Sequence, residues 1–162
     1  MAELTNLETK LGEVIGLAMA AQAATERVEK LTGDRQLVKQ LKTMRKEAAE
    51  AEKAGTTVAA SFSGKKAKIL AEARTVKTKG ATMMKTYLER DSDELDGFEF
   101  LTMAEAGEVG HWSVLEQLNK QARHPGVRDL VKVQLPIQKR HLKDAMAASI
   151  SLAAKEDANA AA

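Results

Sequence analysis

Apolar residues recur along this chain at alternating steps of three and four, the spacing that lines one face of an α-helix. The first seam reads Leu4, Leu7, Leu11, Val14, Ala18, Ala21, Thr25 and Val28, and predicts a helix from Leu4 to Leu31 with a narrow, heptad-like stripe suited to a bundle. Thr32-Gly33-Asp34 then places a glycine stop and an aspartate N-cap within three residues, so a second helix, Arg35 to Ala54, must double back against the first. Its inner face is Leu37, Leu41, Met44, Ala48 and Ala51, and Gly55 reads as its end. Residues 56–63 (TTVAASFS) lack a helical period and read as a loop. From Gly64 to Leu88 the seam returns as Ile69, Ala73, Val76, Gly80, Met83 and Tyr87. A mid-helix glycine such as Gly80 costs about 1 kcal/mol relative to alanine, which leaves open one long helix or two short ones. Asp91-Ser92-Asp93 caps a fourth helix reaching about Ala122, and His124-Pro125-Gly126 turns the chain into a fifth, Val127 to Ala154. His124 itself is expected to do no more than face solvent and contact the end of the preceding helix.

Composition agrees with an all-α fold. Two prolines, ten glycines and 3% aromatic residues stand beside abundant Ala, Leu, Lys, Glu and Met, whereas a sandwich or barrel would need far more β-branched and turn residues. A chain of 162 residues fits one domain with one sizeable core. The expected division is a helical domain over 1–155 and a flexible tail over 156–162, within the alanine-rich end AAKEDANAAA. The absence of cysteine excludes disulfides, thiolate metal sites and a cysteine nucleophile. No run approaches 18 apolar residues, and MAELTNLETKLGE carries acid where a secretory signal carries base, so a cytoplasmic protein with no membrane partner is expected. The net charge of +2 makes no global case for nucleic acid. Locally, Lys65, Lys66, Lys68, Arg74, Lys77, Lys79 and Lys85 face Glu72 alone. A solvated helix face is the ordinary reading of such a run; a nucleic-acid surface over 65–85 is the sharper one, and it lacks interleaved aromatic residues.

The chemistry lies where the seams turn polar. Extending Phe98 and Leu101 by steps of four and three lands on Glu105, Glu108, Trp112 and Leu115, which puts two carboxylates at core positions. A buried carboxylate must protonate, pair or bind a cation. His111 borders the same face, so Glu108-x-x-His111 has the spacing of ligand pairs in carboxylate-bridged metal bundles. The fifth helix repeats the pattern, because its seam Val127, Val131, Gln134, Gln138, His141, Ala145, Ala148 and Leu152 is polar in the middle and contains Gln138-x-x-His141. Pro136 between them should bend that helix. The second helix offers Glu47 and Glu50, and the first only Gln22 near its middle. Glu47, Glu50, Glu105, Glu108, His111, Gln138 and His141 are therefore the candidate metal ligands, with donors enough for one ion. The structural alternative is a buried hydrogen-bond network in which Glu105 or Glu108 is satisfied by His141, Gln138 or a cation from a neighbouring helix. Nucleophile elbows, P-loops and dinucleotide fingerprints are all missing, and no catalytic residue is assigned.

These residues resemble the ferritin-like superfamily, and within it the bacterial stress-associated YciE/YciF-type proteins. The resemblance is carried by residues 93–147, with Glu105, Glu108 and His111 on one long helix and DLVKVQLPIQKRHLKDA on the next, and more weakly by KLTGDRQLVKQLKTMRKEAAEAE. It implies a four-helix bundle with an extra helical segment, residues 56–90, between the second and third bundle helices. It also implies a homodimer, a link to stress response and an iron, manganese or zinc centre. Departures from the family pattern fall at the ligand positions: no histidine on the second helix, Gln138 where glutamate is usual, and Gln22 for a carboxylate on the first. The expectation is thus a ferritin-like bundle with a reduced or vestigial metal site, or none, and the alternative is a helical scaffold or interaction protein without metal.

Overall fold

The computed structural model describes residues 3–161, in five α-helices with no strand among them. They are α1 (Asn6–Leu31), α2 (Arg35–Ala59), α3 (Lys66–Tyr87), α4 (Glu94–Ala122) and α5 (Pro125–Ala153). None is long and apolar enough to cross a membrane. Local chemistry sets most boundaries. Thr5 opens α1 with a capping box, its hydroxyl accepting from the Glu8 N–H while the Glu8 carboxylate accepts from the Thr5 N–H. Asp34 accepts from the N–H groups of Gln36 and Leu37 to open α2, and Asp93 with Asp96 forms a second capping box at α4.

Two expectations are corrected, for Gly55 and His124, and the alternative left open at Gly80 is decided. Gly55 does not end α2, which runs on to Ala59 and absorbs half of the expected loop. Gly55 serves instead for close approach: a Cβ there would lie 2.6 Å from Ile15 Cγ1 of α1. Gly80 does not divide α3, which is continuous, because its missing side chain lets α3 meet Ala20 of α1. His124 makes the expected polar contact with the end of α4, its N–H donating to Asn119 Oδ1 at 3.0 Å, but it is also the N-cap of α5, its Nδ1 accepting from the Val127 N–H at 3.2 Å while its ring stacks on Phe62 at 4.4 Å. Arg123 before it adopts the left-handed conformation (φ 54°) that closes α4. Helix α5 continues through Pro136.

Helices α1, α2, α5 and α4 contact one another in that cyclic order, and α3 lies mainly along α1. The α1–α3 contact is unusually intimate. A Cβ at Gly12 would lie 2.7 Å from the Ile69 carbonyl oxygen, and one at Gly16 would fall against the Ala73 carbonyl. Only Ile69 and Ala73 of α3 are fully buried. The expected seam positions Met83 and Tyr87 are exposed, and Leu88, just past the helix, is buried instead.

The buried apolar residues form two clusters. One gathers Leu11, Val14, Ile15, Ala18, Ala51, Trp112, Leu115, Val131 and Leu135; the other gathers Ala24, Val28, Leu41, Met44, Phe98, Leu101, Ala145 and Ala148. On α2, α4 and α5 the chain passes from one cluster to the other across a short polar stretch, whereas on α1 it passes through a run rich in alanine. A polar layer therefore divides the core at mid-height.

Candidate functional site

That layer takes side chains from three helices of the ring: Glu47 from α2, Glu105 and Glu108 from α4, and Gln138 and His141 from α5, while Gln22 of α1 lies apart from it. The four from α4 and α5 are each 3% exposed or less. They are brought there by periodicity alone, because each continues a helical seam whose neighbours a turn away are apolar.

His141 is the centre of the network. Its Nε2 lies 2.5 Å from Glu47 Oε2 and its Nδ1 lies 3.6 Å from Glu105 Oε2. Arg140, its neighbour in sequence, holds Glu47 from outside with Nη2 at 2.8 Å from both carboxylate oxygens. Gln138, with its amide turned so that nitrogen faces the acids, donates to Glu105 Oε2 at 3.1 Å and to Glu108 Oε2 at 3.2 Å. Gln22 instead reaches Glu52 of α2, donating to Oε2 at 2.5 Å. Trp112 Nε1 is buried without a partner in hydrogen-bonding geometry, though the indole lies near the Glu108 carboxyl; the Gln134 Oε1 is likewise buried and unpaired.

The electrostatics follow from burial and pairing. Burial, and then the charge of Glu105, push the Glu108 carboxyl well above the ordinary glutamate range, offset only in part by the Trp112 indole. Burial opposes a charged His141 ring, but the carboxylates of Glu105 and Glu47 outweigh it and raise its pKa. Partial burial likewise opposes charge on Glu47, and Arg140 with His141 outweighs that, holding it below the usual value. His141 thus sits between Glu47 and Glu105, and Arg140 closes the outer side of Glu47.

Five of the seven sequence-derived ligand candidates, Glu47, Glu105, Glu108, Gln138 and His141, are brought together. Two are not. Glu50 is exposed and faces Lys46 at 4.0 Å, one helical turn on. His111 is half-exposed, with Nδ1 at 3.0 Å from Glu13 Oε2 of α1 and 3.3 Å from Lys10 Nζ. The reason is angular: three residues along a helix turn about 300°, so His111 departs from the Glu108 direction by about 60°, towards α1. The residue missed in the sequence is Arg140, whose sole signal was its position beside an inward histidine. Among the described residues no three or more histidine, aspartate or glutamate side chains are grouped to hold a metal ion. As arranged, both His141 nitrogens face carboxylates, and an amide N–H₂ occupies the space between Glu105 and Glu108. The donor set is one in which the side chains satisfy each other, and it does not fit an ion without rearrangement. Comparison of the chain with known proteins found no matching family model, curated protein or solved structure.

Proposed function

We propose that this chain is a ferritin-like four-helix bundle of α1, α2, α4 and α5, with α3 as the extra helix, that acts as a helical scaffold or interaction protein. In this reading its metal site is vestigial, and the former ligand positions are joined by hydrogen bonds. The observation that carries the reading is the polar layer itself, to which α2, α4 and α5 contribute interlocking side chains. A layer of this kind fixes helix register, since sliding any helix by a turn would leave a buried charge facing apolar side chains. The stress-associated role and the homodimer implied by the family resemblance belong to the same reading, and size-exclusion chromatography with light scattering tests the second.

Thermal melts of chelator-treated protein with iron(II), manganese(II) or zinc(II) test the main claim. A metal present at 100 times its Kd would stabilise the fold by about 2.7 kcal/mol. For a chain of this size each kcal/mol moves Tm by roughly 2–4 °C. The expected result is no shift. A rise of roughly 5–10 °C with any of the three, abolished in Glu108→Leu, would overturn the vestigial reading. Without metal, Glu108→Leu should be tolerated or stabilising, because Gln138 keeps its bond to Glu105 and a buried acid is replaced by an apolar group.

A further inference from the structure

The outward face of α4 differs from those of α2, α3 and α5, whose exposed positions are rich in lysine and arginine, Lys42, Lys46, Lys77 and Lys139 among them. Between Glu99 and Glu116 the exposed residues of α4 are Met103, Ala106, Gly107, Gly110 and Val114, none of them charged. Met103 is 38% and Val114 46% exposed, and a Cβ at either glycine would meet nothing within 4 Å. Met103, Gly107, Gly110 and Val114 follow one another at steps of four, three and four, so they form a second seam on α4, turned away from the core. Gln117 and Gln121 extend it without charge towards the end of the helix. In the other direction Phe100 continues it beneath the ring of Tyr87, at 6.2 Å. Along one edge of the seam runs an apolar groove between α1, α3 and α4, with Leu17, Ala20, Ala104 and His111 in its lining and Met83, 46% exposed, on its α3 side.

We propose that this seam is the contact of a two-fold homodimer, in which α4 lies antiparallel against α4 of a second copy of the chain. Two properties of the face name that occupant. First, its steps read the same from either end. Reversal about a point midway between Gly107 and Gly110 therefore sets Met103 opposite Val114 of the second copy, and Gly107 opposite Gly110, so that the helices can approach closely at the centre. Second, the charges bordering the seam match in this orientation. Glu99 and Lys120 are both exposed and stand three heptads apart, which puts them on the same edge of the seam. Lys120 leans along it, donating from Nζ to Gln117 Oε1 at 3.1 Å. In an antiparallel pair like edges meet, so Glu99 of each copy comes to Lys120 of the other, twice by symmetry. A parallel pair would instead gather Asp96 and Glu99 of both copies at one end. The contact rests on the homodimer of the reading above, to which it gives a surface.

Light scattering on the full chain counts the copies, and a dimer is expected. Because the chain has no cysteine, single cysteines then report orientation. Antiparallel packing places Met103→Cys of one copy beside Val114→Cys of another, within disulfide reach, while two copies of either variant hold their cysteines about 16 Å apart along the helix axes. Oxidation of a mixture of the two variants should therefore cross-link them, and oxidation of either alone should not. Gly110→Arg brings two like charges to the two-fold axis, at a position where nothing in the same chain obstructs the side chain. It should dissociate the dimer while the helical circular dichroism holds. Lys120→Glu sets acid against Glu99 at both ends and should raise the dimer Kd by about tenfold, and adding Glu99→Lys to the same chain should restore it. A wild type that is monomeric at every concentration overturns the homodimer and this contact together. A dimer that cross-links within either single variant, resists Gly110→Arg, or is not restored by the charge exchange refutes the α4 seam alone and leaves the homodimer standing.

Discussion

Replacing Glu108 by glutamine gives the sharpest test of how the polar layer is held. In the folded protein burial and the Glu105 charge keep the Glu108 carboxyl protonated well above its ordinary value of 4.5, whereas in the unfolded chain it ionises near that value. Folding therefore retains a proton that the unfolded chain releases. The sign is that of a raised pKa: the fold is favoured below 4.5 and loses stability as pH rises, by about 1.4 kcal/mol for each pH unit until the folded value is reached. His141, also raised from its ordinary 6.5, adds a loss of the same sign above that value, up to about the same slope. Glu47, held low, acts oppositely: its contribution is present above 4.5 and is lost as pH falls through its lowered value. Stability should accordingly peak in mild acid and decline through neutrality. Glutamine at 108 preserves shape and a hydrogen-bonding group for Gln138 but cannot ionise. Urea melts of the wild type and Glu108→Gln between pH 5 and pH 6 should then differ in slope, by at most about 1.4 kcal/mol per pH unit, with the variant the flatter. Parallel profiles for the two proteins would show that Glu108 is not the buried acid described.

Other perturbations separate the roles of neighbouring groups. Gly16→Ala drives a methyl against the Ala73 carbonyl and should destabilise by roughly 1–3 kcal/mol in denaturant melts, despite the higher helix propensity of alanine; a stabilised variant would refute the close α1–α3 contact. His124→Ala removes the cap of α5 and its stack on Phe62, for a loss of about 1 kcal/mol and a Tm lower by roughly 2–4 °C. His111→Ala, at a half-exposed position, should change stability by less than about 0.5 kcal/mol in denaturant melts. His141→Ala, by contrast, strips a buried cation from two carboxylates and should cost roughly 3–5 kcal/mol.

The five helices, and which face of α1, α2, α4 and α5 points inward, were legible in the chain itself, whereas the C-terminal half of the α3 seam was not. Every predicted seam position on α4 and α5, from Phe98 to Leu115 and from Val127 to Leu152, is buried, because periodicity is a local property and an amphipathic stripe has one stable orientation. The inward acids and glutamines followed from the same rule. Contacts between helices were not legible. Gly55 and Gly80 look like interruptions in a linear reading, yet they, like Gly12 and Gly16, are places where another backbone or side chain approaches, and only the assembled packing shows that. The same holds for the layer's chemistry. Periodicity placed Glu108 and His141 inside, but whether an acid meets a cation, an amide or another acid depends on which helices adjoin and at what height. That decision brought Glu47 to His141 and Arg140, set Gln138 between the two glutamates, and turned His111 away to Glu13.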